Sequence, residues 1–374
     1  MKWDGVKNIW GRDDLLPMWV ADMDFRTPPF VMDALRKRLE HEVLGYTFAC
    51  GEWYDSICNW LRRRHGWEIT REMLTFVPGI VRGQAFALQC FTEPGDKVMV
   101  MTPVYHPFFL VTERMGREVV YSPLELCDGQ YHIDFEHFRK DIQGCKVLIL
   151  CNPHNPAGRV WTREELSRIG KICIRNGLIV VSDEIHCELV FPGYTFTPFA
   201  SISEEFLRHS VTCLSPSKAF NIAGLQIANI VCYDENLRRK IDRAININEV
   251  CDVNPFGVIA TIAAYNEGEE WLSQLIDYLW QNYLYMKDFC GKYLPDFPIT
   301  LLEGTYLVWM DCRKLGKSSE ELEHLLIEKA KLWLNAGTMY GAEGEGFMRW
   351  NIACPRSSLI KGVELFRDFV GCAC

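Results

Sequence analysis

The sequence predicts an α/β protein with a mostly parallel central sheet, covered by helices on both faces, and a smaller α+β domain attached to it. Three features predict this. Apolar runs of about five residues recur without polar alternation, as in Lys97-Val98-Met99-Val100-Met101, Lys146-Val147-Leu148-Ile149-Leu150 and Leu178-Ile179-Val180-Val181-Ser182, which is how strands buried on both faces read. Amphipathic helical stretches separate these runs, as crossovers between parallel strands require. Beyond about residue 255 the strand-like runs thin out and long helices follow. A large domain is therefore expected over 26–256, and a small one from 1–25 together with 257–374, a division that suits a chain of 374 residues.

Taken in order, residues 1–25 hold Trp3, Trp10 and Trp19, and Leu16-Pro17-Met18-Trp19-Val20-Ala21-Asp22-Met23-Asp24-Phe25 is too apolar for a loose tail, so it is expected to pack on the body. Thr27-Pro28-Pro29 opens a helix, since proline is tolerated in a first turn. Val31, Ala34, Leu35 and Leu39 carry that helix from Phe30 to Glu42, where Gly45-Tyr46-Thr47 breaks it. A second helix, about Glu52 to His65, turns Ile57, Trp60 and Leu61 to one side. The large domain then alternates strands Leu74–Val77, Lys97–Met101, Glu118–Tyr121, Lys146–Leu150, Leu178–Ser182, Val211–Leu214 and Ile227–Cys232 with helices at Ile80–Phe91, Phe108–Met115 and Arg163–Asn176. The small domain reads as helices Gly257–Asn266, Glu269–Leu294, Ser319–Leu334 and Ser357–Val370, with strands Ile299–Leu302, Tyr306–Met310 and Phe347–Ala353. There is no internal repeat and no low-complexity linker.

Composition excludes several classes of function. Hydrophobic content of 48% and charged content of 24% are those of a soluble globular protein. A net charge of −9 disfavours nucleic acid or an anionic membrane as partner, because both call for a basic patch. No apolar run approaches the ~20 residues of a membrane span. The 16 cysteines are scattered, with no CxxC pair and no signal-peptide pattern before them, which implies reduced thiols in a cytoplasmic protein. The tail Cys372-Ala373-Cys374 is expected to fray. No metal is implied, since the histidines are isolated and HExxH is absent.

Four stretches carry chemistry. Asn152-Pro153-His154-Asn155-Pro156-Ala157-Gly158 follows a strand, and its prolines and glycine fix a turn that offers the Asn155 amide. A plain turn is the ordinary alternative. Ser182-Asp183-Glu184-Ile185-His186 follows the next strand, and an acid at a buried strand end needs a cationic partner unless it merely caps a helix. Ser215-Pro216-Ser217-Lys218-Ala219-Phe220 places one lysine just past Val211–Leu214 with a hydroxyl on either side of the turn. Such a lysine is well placed to bond covalently to a phosphorylated ligand, though a lone loop lysine is usually solvated. Phe347-Met348-Arg349-Trp350-Asn351-Ile352-Ala353 puts an arginine inside an apolar strand, suited to grip a carboxylate or to a structural ion pair.

Each stretch is weak alone, but the order NPHNPxG, SDEIH, SPSKAFNIAGL, FMRWNIA is specific. It resembles the fold-type I, pyridoxal-phosphate-dependent aminotransferase-like family (classes I and II). SDEIH, SKAFNIAGLQ and LPMWVADMDF are most similar to its cystathionine β-lyase (C–S lyase) branch of MalY/PatB type. The likeness spans essentially the whole chain, which begins late relative to that branch, as if a short N-terminal arm were missing. It implies the aspartate aminotransferase-like fold, pyridoxal 5′-phosphate as cofactor in a Schiff base with Lys218, and a homodimer with shared active sites. Lys218 would then move the Cα proton of the substrate. Asp183 would keep the pyridine nitrogen protonated. Asn155 and His186 would serve the phenolate oxygen, with His186 standing where many aminotransferases have tyrosine. Tyr105 would stack on the ring. The phosphate would rest on the amides of Gly79-Ile80-Val81 at a helix start, with hydroxyls from Ser215 and Ser217 and with Tyr46 reaching across from the partner subunit. Many relatives carry an arginine eight residues after the lysine; here that position is Gln226, one cation fewer. Arg349 would bind the substrate α-carboxylate, with Asn155 and Tyr46 nearby.

Gly341-Ala342-Glu343-Gly344-Glu345-Gly346 neither follows a strand nor opens a helix, so it is not a dinucleotide fingerprint and reads as an active-site loop leading to Arg349. The expected reaction is α,β-elimination from cystathionine or a related cysteine S-conjugate to pyruvate, ammonia and a thiol. The alternatives are amino-acid transamination with the same cofactor and, from a different class, a regulatory partner-binding protein with vestigial catalysis.

Overall fold

The computed structural model describes residues 1–373. Its centre is a seven-stranded sheet made of β1 Leu74–Val77, β2 Lys97–Thr102, β3 Glu118–Pro123, β4 Cys145–Cys151, β5 Ile179–Asp183, β6 Ser210–Leu214 and β7 Ala228–Val231, in the order β1-β7-β6-β5-β4-β2-β3. All pairings are parallel except those of β7, which runs antiparallel to both β1 and β6. Two antiparallel steps restore the original direction, so the carboxyl ends of β1, β2, β4, β5 and β6 lie along one edge of the sheet, where ligands of α/β sheets bind.

Side chains alternate across the pleat, and both faces are covered. Val98, Val100, Val147, Ile149, Val181 and Val211 meet Ile80, Phe86, Leu88, Ile241 and Ile245 on one side. Met99, Met101, Leu148, Leu150 and Val180 meet Trp161, Leu166, Ile169, Cys173 and Phe199 on the other. A fully buried Val or Leu stabilises the fold by about 1.5–3 kcal/mol, so this double burial is what makes the unalternating runs strands. The helix Arg163–Arg175 begins at a capping box between Thr162 and Glu165.

A second, three-stranded antiparallel sheet consists of β8 Leu307–Asp311, β9 Asn335–Ala336 and β10 Phe347–Asn351 in the order β8-β10-β9. The helices Glu269–Tyr293 and Arg356–Ala373 pack on each other beside it. The N-terminal segment packs on the body of the protein beside this region. Leu16–Pro17 pairs in parallel with Leu332–Trp333, and the Trp19 and Trp333 rings stack at 4.2 Å.

Three expectations need correction, and one helix lay outside them. Ile299–Leu302 is not a strand: apart from one bridge to Met310, its amides donate to Gly129 and to the Tyr283 hydroxyl. The helix expected over Ser319–Leu334 ends at Ala330, after a widened last turn, and Lys331 at φ 59° turns the chain into an extended segment. Leu332 and Trp333 have a strand partner in Leu16 and Pro17, and this tertiary pairing overrides their helical spacing. The final helix continues through Ala373, so Cys372 lies on it instead of fraying; Cys374 lies outside the described residues. A helix invisible as an apolar run, Glu235–Ile247, is capped by Asp234 and covers the sheet through Ile241, Ala244 and Ile245.

Candidate active site

The carboxyl ends of the strands surround a cavity of about 440 Å3. Gly79, Ile80 and Val81 follow β1, Tyr105 follows β2, and Asn155 follows β4; all reach it. Asp183 and His186 come from the end of β5, and Ser217 and Lys218 from the turn after β6. Residues up to 139 positions apart thus meet because their strands are neighbours in one sheet. Two larger grooves, of about 1030 and 830 Å3, run along the helix Pro29–Leu39 and contain none of these groups.

Asp183 is buried between Cys151 and Cys213 of the flanking strands. Its Oδ2 accepts a hydrogen bond from Gln84 Nε2 at 2.6 Å and its Oδ1 one from the Ile185 amide at 3.1 Å. Burial pushes its carboxyl up to about 6, against the two donors and Lys218, which favour the charged form. It caps no helix. Gln84 was not foreseen, although its position carries a signal: it is a polar residue on the buried face of Ile80–Phe91, beside Ile80, Gly83, Ala87 and Leu88.

Lys218 is not a solvated lysine. Its Nζ donates to the Ala21 carbonyl at 2.6 Å. Burial lowers its pKa; Asp22 and Asp183 oppose that shift and Arg349 adds to it. A lowered pKa gives more of the neutral amine, the form that can act as nucleophile or base. His186 is held to about 3 by burial, with Lys218 and Arg349 as lesser causes, so the ring is neutral, and its Nδ1 has no partner among the described residues. Burial also raises the Tyr105 hydroxyl to about 12, so it stays protonated.

Arg349, on β10, is 3% exposed. It donates to the Trp19 carbonyl at 2.6 Å and to Asn155 Oδ1 at 3.3 Å, and its guanidinium lies 4.9 Å from the Tyr340 ring centroid. No acid pairs with it among the described residues, so the structural ion pair is not formed. Gly337 approaches Gly344 and Phe347 too closely for a Cβ, so the Gly341–Gly346 loop folds tightly back on Gly337, and the Tyr340 carbonyl just before it accepts from the Val104 amide; the loop leads to Arg349 but does not itself line the cavity.

The N-terminal loop contributes more than packing. Trp19, Val20, Ala21 and Asp22 offer backbone carbonyls to Arg349, Asn351 and Lys218, and the Tyr306 hydroxyl shares the Ala21 carbonyl at 2.9 Å. Nothing in the local sequence marks these contacts. Gly79, at φ 123°, starts the helix Ile80–Phe91 with no side-chain cap, so the first-turn amides are free. Ser217 reaches the cavity, whereas Ser215 does not line it: its Oγ donates to the Ile227 carbonyl at 2.7 Å and accepts from the Ser217 hydroxyl at 2.9 Å and the Ser217 amide at 3.1 Å, and so braces the turn. Tyr46 is 95% exposed, and within its own chain it lies outside the cavity.

Among the described residues, two groups of His, Cys and acid side chains lie elsewhere. In one, Glu188 is already taken by His65, Arg64 and the Trp60 Nε1. In the other, Asp134 caps the helix Phe135–Asp141. Neither is aimed at the cavity.

Residues 14–364 match the family described as aminotransferase class I and II. The chain is 44% identical to cystathionine β-lyase PatB of Bacillus subtilis, over 97% of this chain and 95% of that one. Its fold matches a PLP-bound putative aminotransferase from Clostridium difficile at TM-score 0.97 and 41% identity, covering 99% and 96% of the two chains. It matches a PLP-bound C–S lyase from Staphylococcus hominis at TM-score 0.92 and 36% identity, covering 99% and 94%.

Proposed function

The chain belongs to the class I and II aminotransferase family, and within it we propose a pyridoxal-phosphate-dependent carbon–sulfur lyase that eliminates a thiol from cystathionine or a related cysteine S-conjugate. The observation that carries the lyase assignment is the 44% identity to a cystathionine β-lyase over 97% of the chain.

The cavity suits the cofactor group by group. Free amides at an uncapped helix start favour a phosphate. A buried carboxyl with a raised pKa wants a cation such as a protonated ring nitrogen. The unpartnered His186 Nδ1 and the Asn155 amide offer polar contacts to a ring oxygen. A lysine amine with a lowered pKa suits a carbonyl. Bound pyridoxal 5′-phosphate supplies a sink for the electron pair that an amino acid's Cα releases.

The chain's own groups do the rest. Arg349, which has no acidic partner among the described residues, holds the substrate carboxylate and so fixes the orientation of Cα. Lys218 takes the Cα proton as a base. Asp183, with Gln84 holding its Oδ2, keeps the ring nitrogen charged and the sink strong. Tyr105, in the cavity wall, would cover the face of the bound ring. As the Cα–H bond breaks, the thiolate leaves Cβ with the Cβ–S bonding pair, and the released enamine hydrolyses to pyruvate and ammonia. The same reading keeps residues 26–256 as the cofactor domain, with 1–25 and 257–374 as the smaller one. It also makes the enzyme a cytoplasmic homodimer in which Tyr46 reaches the partner's phosphate; the exposure of Tyr46 and Phe48 supports this. Among the described residues no helix is long and apolar enough to cross a membrane.

Incubation with cystathionine and no keto acid tests the proposal. The expected products are pyruvate and homocysteine, lost in Lys218→Ala. Turnover that depends wholly on a keto-acid acceptor would instead establish transamination, the second reading, which the likeness to a putative aminotransferase favours.

A further inference from the structure

We infer that Arg82 is the cation that binds the cofactor phosphate in this chain, in place of one at position 226; this rests on the pyridoxal-phosphate reading above. Arg82 is the third residue of the helix Ile80–Phe91, whose first turn has no acid and no capping side chain. A cation there is on the wrong end of the helix dipole, which favours negative charge at an N-terminus. Such a local conflict is expected where a site needs it. An anion against the free amides of Ile80, Val81 and Arg82 removes the conflict and makes the guanidinium favourable.

The guanidinium is already aimed. Arg82 NH1 donates to the Pro78 carbonyl at 2.6 Å and to Gln226 Oε1, which folds the side chain back over Gly79. Gln226 stands just before β7, opposite the end of β1, and at φ 53° it is turned toward the cavity mouth. Among the described residues Arg82 has no acidic partner, and its Nε and NH2 donate to none of them. Arg82, Gln226 and Ser217 all line the cavity that holds Lys218. The buried His186, with its Nδ1 unpartnered, lines that cavity too and independently marks it as a ligand site. Position 226 therefore still serves the phosphate, as the acceptor that orients the cation instead of the cation itself.

The test is titration of cofactor-free protein with pyridoxal 5′-phosphate and, separately, with pyridoxal, followed by the absorbance of the lysine-bound ligand. Arg82→Ala is expected to weaken pyridoxal phosphate binding roughly tenfold, by loss of a charge-assisted contact, and to leave pyridoxal binding unchanged. The double variant Arg82→Ala with Gln226→Arg is expected to recover phosphate-dependent affinity. Unchanged pyridoxal phosphate affinity in Arg82→Ala would overturn the inference, and so would an equal loss for both ligands, which marks a structural role. A wild-type protein in which neither ligand binds through Lys218 would instead overturn the functional reading, and this inference with it.

Discussion

Replacing Arg349 separates a substrate-binding arginine from a structural one, because the two roles predict opposite balances of affinity and stability. The side chain is buried on β10 with two hydrogen bonds, to Trp19 O and Asn155 Oδ1, and a ring contact with Tyr340. It touches no carboxylate among the described residues. Breaking a buried ion pair costs about 3–5 kcal/mol, mainly by stranding the remaining charge. Here no charge is stranded. Arg349→Leu leaves the Trp19 carbonyl without its donor, at about 1–3 kcal/mol, and also removes an unpaired buried cation, which offsets that cost. The net change in unfolding free energy is therefore expected to stay below about 2 kcal/mol in urea unfolding of the cofactor-free protein. Affinity should change more. A substrate carboxylate that loses its charged partner forfeits about 1.5–3 kcal/mol, which raises KM by roughly 10- to 100-fold. Steady-state kinetics with cystathionine checks this. An unchanged KM with a stability loss of about 3–5 kcal/mol would refute the assignment and restore the structural pair.

Two more outcomes are expected. Asp183 is held protonated to about 6, well above the ordinary aspartate range, so between about pH 4 and pH 6 the native cofactor-free protein keeps a proton that the unfolded chain has released. Its stability therefore falls as pH rises through that window, by on the order of 2–3 kcal/mol in total. Asp183→Asn should remove this loss: its stability advantage over wild type grows from pH 5 to about 6.5 and then levels, while its turnover collapses. An advantage that is flat with pH would contradict the buried-acid account. Tyr46 should act in trans, so mixing Tyr46→Ala subunits with Lys218→Ala subunits, each inactive, is expected to regain activity by forming one complete site per mixed dimer; no recovery on subunit exchange would place Tyr46 outside the site.

Which residues were legible in the sequence follows from how each is positioned. Asn155, Asp183 and Lys218 stand at or just after parallel strands, so predicting the strands already puts all three on one edge of the sheet. Gln84 meets Asp183 from 99 residues away, through the packing of a helix onto β5, and only its oddity on an apolar face hinted at it. The carbonyls of Trp19 and Ala21 carry no side-chain signature at all, since any residue supplies a carbonyl. Leu332 and Trp333 suited a helix by spacing and became strand because Leu16 and Pro17 lay beside them. Ser215 and Ser217 look equivalent in the sequence, yet the carbonyl of Ile227 takes the first and leaves the second to the cavity.

The choice between elimination and transamination is hidden for a different reason. In the proposed reading both reactions would use Lys218 to remove the Cα proton, Asp183 to strengthen the sink and Arg349 to hold the carboxylate, so the same three side chains in the same places would serve either. They diverge only in where the electron pair goes next: into breaking Cβ–S, or into a new bond to hydrogen. A thiolate is a good leaving group on its own, because thiols ionise near pH 8.5, so elimination asks little of the protein beyond holding the Cβ–S bond in a productive orientation. The groups packed around Arg349, which would hold the substrate carboxylate, are Tyr340, Asn335 and the carbonyl of Trp19. These come from the small sheet and the N-terminal loop, the two regions whose local pairing the sequence conceals. Substitution at Asn335 is thus the place to look for a shift in the partition between keto acid formed with and without an acceptor, with Lys218, Asp183 and Arg349 left intact.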